Sequence, residues 1–348
     1  MAYTDIDKPT DYFETELYSG SSSDVTMNAL DFQPDWVWLK KRSSSGDNLT
    51  YDSVRGTNKR LTINGNDAEV DRSSNNDELK SFNSDGWTLG TYNSNVTGAG
   101  SNCVSFNWKA GGSSTSSNSD GSITSSVSAN TTAGFSILTF TGTGSSATVG
   151  HGLGAVPKMI LFKKTSGAQG WGVYHAGVGN TGALRLDGTD ATDTTSNYFN
   201  NTSPTSSVFT VNTNNSVNNS GGTMLAYCFA EKKGYSKFGS YTGNGNADGT
   251  FVFTGMKISW LLLKRTDSAD NWYLYDNKRD TENPQAVAIN ADASGAEFTT
   301  SNTLDFISNG FKLRSSEATT NASGGTYIYM AFAESPFVNS NGVPTNAR

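Results

Sequence analysis

The 348-residue chain is poor in charge, with 16% Asp, Glu, Lys and Arg against about 25% in an average globular protein. Ser, Thr, Asn and 37 glycines carry its polarity; these residues compete for helical hydrogen bonds or weaken helices, which excludes a helical body and predicts strands and turns. The net charge of −7 excludes nucleic-acid binding, which needs a basic face, and runs as short as "MILF" (159–162) and "WLLL" (260–263) exclude a membrane helix of ~20 apolar residues.

In chain order, residues 1–10 are expected to form an N-terminal arm; their acids stand where a secretory leader would be basic and apolar. "FETELYSGSSS" (13–23) reads as an opening strand, and "DWVWLKKRSSSGDNLTYD" (35–52) as a hairpin around a polar turn. "LTIN" (61–64) and an aromatic-rich closing strand, "CVSFNWKAGG" (103–112), follow. The Ser-, Gly- and Thr-rich residues 113–133 read as a flexible linker by composition.

The same order then recurs. "FSILTFTGTGSS" (135–146), "PKMILFKKTSGAQGWGVYH" (157–175), "LRLD" (184–187) and "MLAYCFAEKKG" (224–234) match the first series. "SKFGSYTGNGNA" (236–247), "ISWLLLKRTDSADNWYLYD" (258–276), "VAIN" (287–290) and "YIYMAFAESPF" (327–337) match it again. Lys40, Lys163 and Lys264 each close an apolar run, and Asp52, His175 and Asp276 each end the hairpin after a Tyr. Asn64, Asp187 and Asn290 end the next short strand, and Trp87, Phe209 and Phe311 stand further on. Short strands with frequent turns predict an all-β protein of three tandem β-sandwich repeats, jelly-roll or lectin-like, of about 100 residues each. The predicted units are 11–112, 134–234 and 235–337, with a C-terminal tail at 338–348. The unbroken apolar runs predict central strands covered on both faces. The three lysines are expected to snorkel at a rim.

"YTDIDKPTDYFETELYSG" continues into "LDFQPDWVWLKKR", "YDSVRGTNKRL", "FNSDGWTLG" and "WKAGG". These stretches resemble a repeated domain of unknown function in virion structural and tail-fibre-like proteins of marine tailed bacteriophages, cyanophages especially. "ANTTAGFSILTFTGTGSSATVGHGLGAVPKMILFKK" and "YCFAEKKGYSKFGSYTGNGNADGTFVFTG" resemble its second and third copies, although the third has Ile258 where the others have Pro34 and Pro157. The resemblance implies a place in a virion assembled in the host cytoplasm, other virion proteins as partners, and the homotrimer usual for fibres. It supplies no catalytic residue.

The residues themselves agree on that last point. His151 lies in a glycine-flanked turn, and His175 occupies a position that is Asp in the sister units, which a catalytic base would not tolerate. Cys103 and Cys228 have no metal-binding spacing and read as buried thiols. The loops carrying Asp67, Asp187, Asp190 and Asp292 are oxygen-rich; Asx turns are the plainer reading, and calcium is the functional alternative. No other cofactor is expected. Trp171 and Trp272 correspond to one another and to Asn48; they read either as core residues or as platforms for a host-surface glycan. The expected function is a non-enzymatic virion protein, a tail fibre or fibre-associated appendage with a receptor-binding role. Its alternatives are a capsid decoration or head-fibre protein, or a multivalent carbohydrate-binding module.

Overall fold

The computed structural model describes residues 3–345. The chain is all-β, in several antiparallel sheets. Among the described residues, helix is confined to the single turns Ser94–Thr97, Asn215–Asn218 and Ala318–Asn321 and a 3-10 turn at Pro9–Asp11.

Three large sheets share one strand order: opening strand, closing strand, central strand, hairpin strand, then a further strand. The first contains Phe13–Ser19, Asn102–Trp108, Trp36–Lys41, Leu49–Asp52 and Lys59–Thr62. The second contains Phe135–Thr141, Thr223–Ala230, Pro157–Lys164, Gly172–His175 and Leu184–Arg185. The third contains Ser236–Thr242, Thr326–Pro336, Met256–Arg265, Trp272–Asp276 and Gln285–Asn290. In register, Trp38 lies opposite Phe106, Leu161 opposite Tyr227, and Leu262 opposite Met330.

Successive side chains on a strand face opposite ways, and each central strand uses this to enter two cores. Val37 and Leu39 pack with Trp87 and Leu89 of a smaller sheet built from Val25–Met27, Leu79–Asn83 and Gly86–Leu89. Ile160 and Phe162 do the same with Val149, Phe209 and Val211, while Leu261 and Leu263 pack with Val252, Leu304 and Phe311. The alternate residues, Trp36 and Trp38, Met159 and Leu161, Trp260 and Leu262, all enter one further core to which the three large sheets contribute. Trp108 stacks on Trp36 at 4.2 Å between ring centroids and meets Trp260 edge-on at 5.6 Å. Uninterrupted apolarity in the central strands thus reflects burial on both faces.

The stretch 113–133, expected as a flexible linker, is folded instead. Ser125–Asn130 pairs along its length with Phe135–Thr141, and Ser116–Asn118 pairs with it in turn. Ile123 and Val127 are buried, and the serines around Val127 lie in a strand paired on both sides, with Ser116–Asn118 and with Phe135–Thr141. Composition had concealed a weak alternation.

The expected arm is also fixed over its described part. Ile6 enters the common core, the Asp5 backbone N–H donates to Lys233 O at 2.9 Å, and the Thr4 hydroxyl donates to the same carbonyl at 2.6 Å. In the expected tail, the Ser340 N–H donates to the Asp7 carboxylate at 2.7 Å. Residues 1–2 and 346–348 of the expected arm and tail lie outside the described residues.

Candidate functional site

The chemistry-bearing residues gather where the large sheets meet. Lys40, Lys163 and Lys264 are almost wholly buried, at 0%, 0% and 1% exposure, so they do not snorkel. Each ammonium donates to a carbonyl of its own hairpin turn, Gly46, Gln169 or Asp270. Each also donates to a loop of another sheet: Lys40 to Ser294 O at 3.0 Å, Lys163 to Gly65 O at 3.3 Å, Lys264 to Thr189 O at 2.9 Å. The direction is cyclic, from the first sheet to the third, the second to the first, and the third to the second.

Backbone bonds repeat that cycle. The N–H groups of Gly46, Gln169 and Asp270 donate to Ser294 O, Asn66 O and Thr189 O at 2.7–2.8 Å. Those of Glu297, Glu69 and Thr192 donate to Arg42 O, Thr165 O and Thr266 O at 2.9–3.1 Å. The indoles of Trp171 and Trp272 donate to Thr62 O and Arg185 O, both at 2.8 Å, and the Asn48 amide donates to Asn290 O at 3.2 Å. Trp171 and Trp272 are therefore not glycan platforms. At 0% and 1% exposure neither ring has a face for a sugar.

The aspartate loops supply the acceptors for these clasps. Asp187 and Asp292 accept from the backbone N–H of Trp171 and Trp272 at 2.9 Å, as Asn64 does from Asn48 at 2.7 Å. The residue matching Asn64 and Asp187 is thus Asp292, two places beyond the Asn290 read from sequence. Asp67 and Asp190 are exposed. Among the described residues no three His, Cys, Asp or Glu side chains gather to hold a metal. The loop carbonyls that a calcium ion would use face a lysine ammonium from the neighbouring sheet.

Burial pushes all three lysines down to about 8. Between about 8 and the ordinary 10.5 the unfolded chain binds more protons than the folded one, so this contribution to stability rises with pH. Lys264→Met leaves the Asp270 and Thr189 carbonyls without this donor, an expected loss of about 1–3 kcal/mol. Its deficit against wild type should widen from about pH 7 to about pH 10 in urea melts; a deficit that stays constant would contradict the buried-ammonium account.

Three further corresponding positions divide the junctions. Beside the first large sheet the Asp52 carboxylate takes Arg55 at 2.5 Å and the Tyr227 hydroxyl at 2.7 Å, and Arg55 also reaches Glu69 at 2.9 Å. Beside the third, Asp276 takes Arg279 at 2.5 Å, and Glu297 receives both Arg279 at 3.3 Å and Arg42 at 2.7 Å. The second large sheet and its following loops have His175, Val178 and Thr192 at these places. Without an arginine three residues on, an Asp there would be a buried, unpaired anion. His175 Nε2 donates to Tyr329 O at 3.1 Å while Nδ1 accepts from Gly177 N at 3.0 Å, and burial lowers its pKa to about 4. A neutral ring replaces an ion pair. His151 is likewise buried, between Thr205 O and Leu153 N.

Sequence reasoning found these lysines and the Asp-to-His exchange but missed that both lie between sheets. The available signal was a charged residue held in one register position of an apolar strand three times, since Lys is almost never fully buried without partners.

Both cysteines are free and buried. What the geometry defines is an all-β protein whose polar machinery holds its own sheets together. A family model described as a domain of unknown function, DUF7483, matches residues 8–336, and the chain belongs to that family. No curated protein and no solved structure matches it.

Proposed function

We propose that the chain is a non-enzymatic structural protein: three copies of one β-sandwich module closed into a ring around a common aromatic core, acting as a rigid part of a tailed-phage virion, in a fibre or an appendage attached to it. The observation that carries this reading is the cyclic set of clasps, in which equivalent lysines, turns and loops link each unit to the next. The ammonium groups of all three clasps are directed at backbone carbonyls within the junctions, an arrangement that suits joining sheets rather than turning over a substrate. The virion assignment rests on the quoted sequence resemblance.

In this reading the threefold arrangement that a fibre obtains from three chains is internal to one chain. The protein is then expected as a monomer of 37.0 kDa in light scattering; a particle of about three times that mass would overturn that expectation and show that whole chains assemble further. Mass spectrometry of purified phage particles with immunogold labelling tests the location. Failure to find the chain in particles that otherwise contain the full set of structural proteins would remove the virion role.

A further inference from the structure

The three junctions are not filled alike. Between the third and first units, Arg279, Glu297 and Arg42 occupy the space beside the neighbouring sheet, and Arg279 has no exposed side-chain surface. Between the first and second, Arg55 fills the corresponding place at 4% side-chain exposure, held by Asp52 and Glu69. Between the second and third, the positions of Arg279, Glu297 and Arg42 are Val178, Thr192 and Thr266. These short side chains leave a solvent-open cleft of about 400 Å³, bordered on its other side by the exposed Ser240, Thr242 and Thr326 of the third unit.

The lining chemistry is selective. No charged side chain lines the cleft, so an ionic ligand would lose hydration without gaining a counter-charge. A purely apolar ligand would leave the hydroxyls unpaired. Among the described residues, the hydroxyls of Thr192, Ser240 and Thr242 have no protein partner, which leaves each able both to donate and to accept. Val178 adds an apolar surface to the same lining. A lining of hydroxyls and aliphatic carbon suits a ligand that itself carries hydroxyls and carbon-hydrogen surface, as a pyranose does, and the volume lies at the small end of the range of about 300–1,000 Å³ for small-molecule sites.

We propose that the cleft between the second and third units binds a neutral carbohydrate of one or two rings, and that replacing the ionic triad by His175, Val178 and Thr192 created the site. This goes beyond the architectural role and does not depend on it. A chain absent from every virion would still bind sugar here, and a chain found in virions would lose only this site if the test fails.

The test is saturation-transfer NMR on the full chain with glucose, galactose, mannose, N-acetylglucosamine, maltose and lactose, with gluconate and cyclohexanol as charged and apolar comparisons. At least one sugar should receive saturation, and neither comparison compound should. The double variant Val178→Arg/Thr192→Glu restores the side chains that two other junctions already accommodate, and it should weaken the sugar signal at least tenfold. Thr242→Val, on an exposed position, should weaken it several-fold and serves if the double variant does not fold. No transfer to any sugar, equal transfer to cyclohexanol or gluconate, or an unchanged signal in a folded variant would each overturn the proposal.

Discussion

His175→Asp should destabilise the chain by about 3–5 kcal/mol at neutral pH, the cost of a buried charge left without its partner. The position is 1% exposed, Val178 offers no guanidinium, and the new carboxylate would face the Tyr329 carbonyl that His175 now satisfies. Burial raises the folded-state pKa of such a carboxyl, so the folded chain would bind more protons than the unfolded one and the deficit should shrink as pH falls toward about 4. Adding Val178→Arg and Thr192→Glu rebuilds the arrangement of Asp276, Arg279 and Glu297 and should recover most of the loss. Urea midpoints for the single and triple variants decide the matter. A single variant costing under about 1 kcal/mol, or a triple variant no better than the single, would refute the view that these three positions change as a block.

Trp260→Ala is the second large effect. The Trp260 ring lies 5.6–6.4 Å from those of Phe13, Trp38, Phe106 and Trp108 in the first sheet and 5.9 Å from Phe332 in its own. Removing it costs about 3–5 kcal/mol in lost burial and residual cavity. Because these contacts join different sheets, the loss should appear as an earlier single transition, with tryptophan fluorescence and far-ultraviolet circular dichroism melting together. Two separated transitions would mean that the sheets unfold independently and that the common core contributes little cooperativity.

Much of the secondary structure was readable from the linear chain. Apolar runs ended by Lys40, Lys163 and Lys264 are central strands, and the polar turns after them are hairpin turns. What escaped was everything that depends on the neighbour across a junction. An unbroken apolar strand tells that both faces are covered, but Trp36 and Val37 look alike on paper while entering different cores. Trp171 alternates as a core residue would, yet its indole reaches Thr62 of another sheet. The lysines look like rim residues in the linear chain because carbonyl acceptors supplied by a distant loop leave no local trace in sequence. Ser- and Thr-rich residues 113–133 mislead for a different reason: the buried Ile123, Val127 and Ala133 outweigh a composition typical of disorder.

The fastening of Asp5 to Lys233 and of Asp7 to Ser340 has a practical corollary. The contact between Asp7 and Ser340 brings the two ends of the described polypeptide next to one another. A short bridge between those ends would permit the backbone to be reopened elsewhere, for instance in the exposed turn near Ser119, without uncoupling any clasp between the sheets.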